Sequence, residues 1–416
     1  MAVFRPFQAV RPLPEFAKDV AALPYDVMSS SEAREQVKGN PLSFLRVDKA
    51  EVDLPEGTGL YDETVYQKAA ENLEKLVSED ICEQDGEPCV YIYRQIMNGR
   101  SQTGLVGCVS VDDYLNDAIK KHELTRADKE ADRIRHVDVC NANTGPIFLT
   151  YRHNGFINGF VDDFKRANCP VYDFVKEDGV THTVWQVADP AAVAAITRAF
   201  ENVPCFYIAD GHHRAASAVK VGLKRRRENP GYTGLEEFNF FLAVAFPHNE
   251  LAIMDYNRLV KDLNGMTPAE FLGRVNEHFA VEETGTAGPY KPAGQHMFGM
   301  LLGDKWYKLT AKEDTYAGQG PVGRLDVTIL QNYLISPILA IKDPRADKRI
   351  DFVGGIRGLE ELERRVRDDD FTLAFSLFPT TLDELMSIAD AGEIMPPKST
   401  WFEPKLLSGL FVHRLK

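Results

Sequence analysis

Residues 206–218 read Phe-Tyr-Ile-Ala-Asp-Gly-His-His-Arg-Ala-Ala-Ser-Ala. A short apolar strand through Ile208 leads into a turn at Asp210-Gly211 and then an alanine-rich helix from about His212 to Val221. The first turn of a helix leaves its amides unpaired at the positive end of the helix dipole, and a glycine there lets the backbone approach a ligand closely. With His212, His213 and Arg214 projecting from that turn, the segment is built to receive an anion, Arg214 gripping phosphate oxygens in pairs. Asp210 is open to three roles: helix cap, magnesium ligand, or general base on a hydroxyl nucleophile.

Upstream, the apolar positions Val65, Ala69, Leu73 and Leu76 predict an amphipathic helix within Tyr61 to Glu79. Cys89 to Ile96 and Leu105 to Val111 read as strands paired around the turn Asn98-Gly99. Ser29 to Ser31 before Glu32 supplies a cap for a helix through Val37. Ile147 to Tyr151 and Thr183 to Val187 are strands, and Pro190 opens a helix to Phe200. Helices and strands alternate throughout, so the fold class is mixed α/β. A stretch rich in Gly, Thr and Pro from Gly265 to Gly294 places a boundary after residue 264, dividing the chain into 1–264 and 265–416.

The second charged cluster lies in DAIKKHELTRADKEADRIRHVDV, where Leu124, Ala127, Ala131 and Ile134 predict a helix with one apolar and one charged face. On it Glu123 and Glu130 share a face, and Arg126, Glu130 and Arg133 line a neighbouring stripe. A solvated face laced with ion pairs is the plain reading. Carboxylates beside arginines also hold Mg²⁺ and phosphates together. Pro24-Tyr25-Asp26, Gly354-Gly355 with Arg357, and Lys398 to Trp401 are further segments able to line a pocket or, for the glycine pair, to cradle a second anion. The run Lys224 to Arg227 reads as a solvated helix end favoured by the dipole. The Gly354-Gly355 segment lacks the full GxGxxG, and the GxxxxGK[ST] loop does not occur.

Composition narrows the partners. Forty-eight basic against sixty-two acidic residues give a net charge of −14, which disfavours a nucleic-acid coat or an anionic-membrane protein. Six cysteines without a CxxC pair read as reduced thiols, and the N-terminus lacks a signal-peptide pattern, so a cytoplasmic protein is expected.

The Asp210–Arg214 turn resembles the phosphate-binding box of the ParB and sulfiredoxin-like superfamily. With RPF, PYDV, HELTRADKEADR, IADGHHR, MDYNRLVKDL, RIDFVGG and PPKSTWFEPK, the whole chain resembles the family catalogued as domain of unknown function 1015. Within the superfamily the Asp-Gly-His-His-Arg form is most similar to the free-serine kinases. His212 stands where sulfiredoxin has its cysteine, and the ParB helix-turn-helix has no clear counterpart. The resemblance implies a ParB/sulfiredoxin-like nucleotide-binding core with additional lobes. It further implies a phosphotransferase using ATP or ADP with Mg²⁺ on a small hydroxyl compound such as free serine. Gly211, His212, His213, Arg214, Arg126 and Arg133 would then bind phosphates. Asp210, Glu123 and Glu130 would be catalytic, with Asp210 and Glu130 on the magnesium. A non-enzymatic nucleotide-responsive protein and a hydrolase at the same anion site stay open.

Overall fold

The computed structural model describes residues 2–285 and 288–416. The chain forms two compact units, Met1–Leu251 joined by Pro404–Lys416, and Ala252–Glu403. The division therefore falls after residue 251, ahead of the expected 264, and the tail returns to the first unit. Within the Gly265 to Gly294 stretch lie a helix, Pro268–Val275, and a strand, Phe279–Glu283; residues 286 and 287 are outside the described residues.

The first unit is built on a nine-stranded mixed sheet. Its main path runs Ile119–Lys120, Phe206–Asp210, Ile147–Tyr151, Phe240–Pro247, Arg100–Ser110, Val90–Met97, Thr181–Val187 and Tyr172–Val175, with Phe4–Arg5 pairing Arg100–Ser110. The hairpin turn is Asn98-Gly99, both in the left-handed region (φ 51° and 77°), which matches the twist of the flanking strands. Phe240–Pro247 is apolar on both faces and almost wholly buried, as a strand covered on both sides must be. The helices Ser30–Gln36, Glu63–Ser78 and Pro190–Phe200 form where the sequence places them, the first opened by a capping box between Ser29 and Glu32.

One expected helix starts late. Residues 119–120 are a strand paired with Phe206–Asp210, and the helix spans only Ala127–Cys140. Leu124, expected on its apolar face, lies outside it and is 68% exposed. The buried face instead carries Glu130, Asp132, Arg133 and His136 beside Val137 and Cys140. A buried face of this kind needs partners for its charges. Asp132 accepts from the Tyr66 hydroxyl at 3.0 Å and pairs with Arg133 at 2.9 Å, and His136 Nε2 lies 3.0 Å from the Val47 carbonyl. Periodicity that counts only apolar residues mistakes such a face for a solvated one.

At the far end of the His212–Glu228 helix, Lys224 and Arg225 pair with Asp138 and Arg226 with Asp112, so the basic run is a neutralised helix end. The cysteines are free thiols. Among the described residues no helix is long and apolar enough to cross a membrane.

The second unit is a six-stranded antiparallel sheet in the order Phe279–Glu283, Lys305–Ala311, Met297–Leu302, Leu373–Leu377, Tyr256–Val260, Ile350–Gly354. Thr267 with Glu270 and Thr381 with Glu384 cap two of its helices. Gly354 and Gly355 do not cradle an anion here. The Trp401 ring would lie 3.0 Å from a Cβ at 354, and the Asp255 carboxylate fills the space a Cβ at 355 would take, where it would repel an anion.

This unit carries an unusual carboxyl. Asp326 is 8% exposed at the start of the Asp326–Leu330 helix, accepts the His296 amide at 2.8 Å, and has His296 Nδ1 at 3.3 Å. The His296 ring, on a backbone at φ 64°, stacks on Tyr316 with centroids 3.9 Å apart. Burial pushes the Asp326 carboxyl up to about 7; the amide bond opposes this and the charge of Glu384 adds to it. A carboxyl raised above its unfolded value holds its proton in the folded state while the unfolded chain has lost it. Its contribution to stability is therefore complete below the unfolded pKa and is lost as pH rises through about 7. The unfolding midpoint, followed by the fluorescence of Trp306 and Trp401, is expected to fall by several degrees from pH 5 to pH 8. In Asp326→Asn, which keeps an oxygen for the His296 amide, that fall should shrink. Equal slopes in both proteins would reject the assignment.

Candidate functional site

The site forms where Phe206–Asp210 ends and His212–Glu228 begins. The pairing of Phe206–Asp210 with Ile147–Tyr151 shifts register between Ile208 and Asp210, and such an irregularity re-aims the last strand residue. Gly211 follows at φ 91°, a conformation that glycine adopts without strain. It occupies the N-cap position, and no side chain caps the helix. The Asp210 carboxylate takes the Gly211 amide at 2.9 Å. Asp210 thus braces the turn from one residue ahead of the helix, and the first-turn amides are left for another acceptor.

Arg214 folds back against this turn. Its Nη1 donates to the Pro146 carbonyl at 2.7 Å, its Nη2 lies 3.9 Å from Asp210 Oδ2, and its buried Nε has no hydrogen-bond partner among the described residues. A Cβ at residue 211 would come within 3.2 Å of that Nε, so glycine also makes room for the guanidinium. Lys405, from the returning tail, places Nζ 3.4 Å from the same Asp210 oxygen. Burial acts to raise the Asp210 carboxyl, but the charges of Lys405 and Arg214, with the Gly211 amide, outweigh it and hold it near 2. Burial likewise works against the charged Arg214, yet Asp26, Asp210 and Tyr25 keep it firmly protonated.

The histidines diverge. His212 is 4% exposed, and its ring meets that of His122 edge to face with centroids 4.5 Å apart. Both rings are neutral near pH 7: burial lowers His122 to about 4 and His212 well below its usual value. Among the described residues neither ring nitrogen of His122 nor Nε2 of His212 has a hydrogen-bond partner. His212 Nδ1 lies 3.7 Å from Glu123, whose side chain is about half exposed. His213 turns the other way and accepts the Arg126 backbone amide at 3.0 Å. Burial lowers it, against the charges of Asp26 and Glu130.

The remaining predicted residues separate into near and far. Glu123 is at the turn but ahead of the helix, so it shares no helix face with Glu130. Glu130 is held by Lys220 and by Thr125 at 2.8 Å, and its backbone carbonyl takes Ser217 at 3.2 Å. These bonds bring its carboxyl below the usual range although burial acts to raise it. It steadies the packing of two helices. Arg126 is an exposed residue paired with Asp128 at 2.8 Å, and only its backbone reaches the site. Arg133 is buried, stacked over Tyr25 at 4.1 Å. With Tyr25, Asp48, His136, Thr144 and Arg214 it lines a cavity of about 20 Å³, room for a water or two.

Magnesium on Asp210 and Glu130 does not fit this arrangement. Each carboxylate already carries a lysine, Lys405 or Lys220, and among the described residues no three His, Cys, Asp or Glu side chains form a metal-holding group. Lys398 and Trp401 belong to the second unit, where Lys398 lies over Tyr256. Sequence reasoning missed Lys405 and the pairing of His122 with His212. His122 directly precedes Glu123, and Lys405 closes the PPKSTWFEPK stretch, but no local rule links residue 405 to residue 210.

The family model described as "Protein of unknown function (DUF1015)" matches residues 4–328 of the chain. The chain belongs to this family. The turn, the His122-Glu123 pair and Tyr25-Asp26 all fall within the part that defines DUF1015, and Lys405 falls outside it. No curated protein matches. Among solved structures, a conserved hypothetical protein from Pyrococcus furiosus is 15% identical, covering 74% of this chain and 94% of its own, with a TM-score of 0.36. A free serine kinase in complex with AMP is also 15% identical, covering 74% and 90%, at 0.38. SbnI from Staphylococcus aureus, truncated at its C-terminus, is 12% identical, covering 74% and 87%, at 0.38. Similarities of this size carry no argument about chemistry.

Proposed function

We propose that this DUF1015 chain is a nucleotide-dependent phosphotransferase with a ParB/sulfiredoxin-like core, moving a phosphoryl group from ATP or ADP to the hydroxyl of a small compound. Free serine is the first acceptor to test, because the Asp-Gly-His-His-Arg turn resembles that of the free-serine kinases. The observation that supports the reading is the uncapped opening of the His212–Glu228 helix beside a buried Arg214 whose Nε has no hydrogen-bond partner among the described residues. Unpaired amides, the helix dipole and a guanidinium converge where phosphate oxygens would sit.

In this reading the amides of His212 and His213 and the Arg214 side chain bind the phosphates. Glu123, half exposed at the turn, takes the acceptor's proton as its oxygen attacks the terminal phosphorus. The bond from that phosphorus to the bridging oxygen breaks, and the shortened nucleotide leaves with the electron pair. Asp210, held near 2, is a weak proton acceptor and braces Gly211, Arg214 and Lys405 instead. Arg133 walls the adjoining cavity, and Glu130 with Arg126 positions the segment that carries Glu123.

The test is incubation of purified protein with ATP or ADP and a panel of hydroxyl amino acids and small alcohols, products being resolved by mass spectrometry. A phosphorylated acceptor in stoichiometry with nucleotide consumed is the expected result. Inorganic phosphate released without an acceptor would replace this reading by a hydrolase. Tight nucleotide binding with no turnover of any acceptor would leave a nucleotide-responsive binding protein.

A further inference from the structure

Lys405 is held in place more firmly than a surface lysine. Its carbonyl accepts from Gln95 Nε2 at 2.8 Å, and Gln95 in turn takes a hydrogen bond from Gln102 at 3.0 Å, both glutamines being buried within the sheet. Leu406 and Leu407 behind it are buried, and Ser408 exchanges two backbone bonds with Ala22 at 2.9 and 3.1 Å. The Lys405 side chain itself is 12% exposed. A long side chain normally loses much of its rotamer freedom on binding a ligand; here most of that cost is met by folding.

The place where it is held is the anion-ready turn. Lys405 Nζ and Arg214 Nη2 approach the same Asp210 oxygen, at 3.4 and 3.9 Å. Both separations exceed the 2.7–2.9 Å of a close charge-assisted bond. A carboxylate flanked in this way serves as a loose brace between two cations. The tail also walls the site: a Cβ at Gly145 would meet Ser408 Oγ at 3.0 Å and Arg214 Nη1 at 3.6 Å.

We propose that Lys405 is a second phosphate-binding cation, so that the anion site of the first unit is complete only when residues 404–416 return to it. The inference rests on the phosphate-site reading above and adds a residue outside the part of the chain matched by the family model. Arg214 supplies a planar fork at the helix opening, and Lys405 supplies a point charge across the Asp210 carboxylate from it.

Calorimetric titration with ADP and with inorganic pyrophosphate tests this in wild type, Lys405→Gln and Lys405→Arg. Lys405→Gln should stay folded, with an unfolding midpoint lowered by loss of the Asp210 pair, and bind both probes at least tenfold more weakly, and Lys405→Arg should recover most of the affinity. In the wild type, adenosine diphosphopyridoxal carries an aldehyde in place of the terminal phosphate. Its imine with a nearby amine, reduced by borohydride, should map to Lys405 and be suppressed by ADP. This second measurement decides the matter if the glutamine variant does not fold. Wild type that binds neither probe would remove the phosphate-site reading, and Lys405 with it. Wild type that binds ADP while Lys405→Gln binds it equally, or labelling that maps only elsewhere, would overturn the role of Lys405 and leave the phosphate site standing.

Discussion

Glu123→Gln is expected to bind ADP and ATP within a few-fold of wild type while transferring phosphate about 10²–10⁴-fold more slowly, the usual contribution of a positioned general base. The reasoning is a comparison of two carboxylates at one turn. Asp210 is held near 2 by Lys405 and Arg214, so its affinity for a proton at neutral pH is slight. Glu123 is half exposed at the mouth, 3.7 Å from His212 Nδ1. His212 and His122 are neutral and pack edge to face behind it, which fixes the segment without adding a fixed positive charge. Glutamine keeps the shape and loses the proton acceptor. A single-turnover assay with labelled ATP separates binding from transfer. Asp210→Asn provides the contrast: its loss should appear mainly in nucleotide affinity, because it loosens both cations. If Glu123→Gln transfers phosphate at the wild-type rate, Glu123 is not the base.

The parts of this site that were legible in the sequence are those that lie together in the chain. Strand, glycine turn and helix at 206–228 need only local rules, and so does the Asn98-Gly99 hairpin. The Glu123–Glu130 pair failed because a spacing argument assumes the helix it depends on. The helix begins at Ala127, since residues 119–120 are drawn into the sheet beside Phe206–Asp210. A tertiary strand pairing thus displaced a local periodicity. The buried polar face of Ala127–Cys140 was misread for a related reason: its charges are compensated by Tyr66, Val47 and one another, partners that lie in other segments. Lys405 is the extreme instance. It reaches residue 210 only because the chain makes a whole second unit, Ala252–Glu403, before returning.

Arg214→Ala should reduce nucleotide affinity by at least 100-fold and leave a folded protein. Hydrogen bonds to a charged group contribute about 1.5–3 kcal/mol each, and a guanidinium facing phosphate makes two. Two such bonds correspond to a 10²–10⁴-fold change in Kd. The change lowers the unfolding midpoint through loss of the Asp210 ion pair but leaves the fold, because among the described residues the Arg214 side chain makes one hydrogen bond, to the Pro146 carbonyl, and its Nε makes none. Arg214→Lys should recover little. A lysine offers a point charge without the fork, and that role at this turn already belongs to Lys405. Gly211→Ala gives an independent check from the backbone side. It strains a residue at φ 91° and brings a Cβ to 3.2 Å from Arg214 Nε, so it should weaken nucleotide binding by displacing the guanidinium. Calorimetry with ADP, run beside thermal unfolding, reads all three. Undiminished ADP affinity in Arg214→Ala would remove the helix opening as the phosphate site, because no other guanidinium approaches the Asp210 carboxylate among the interactions of the described residues.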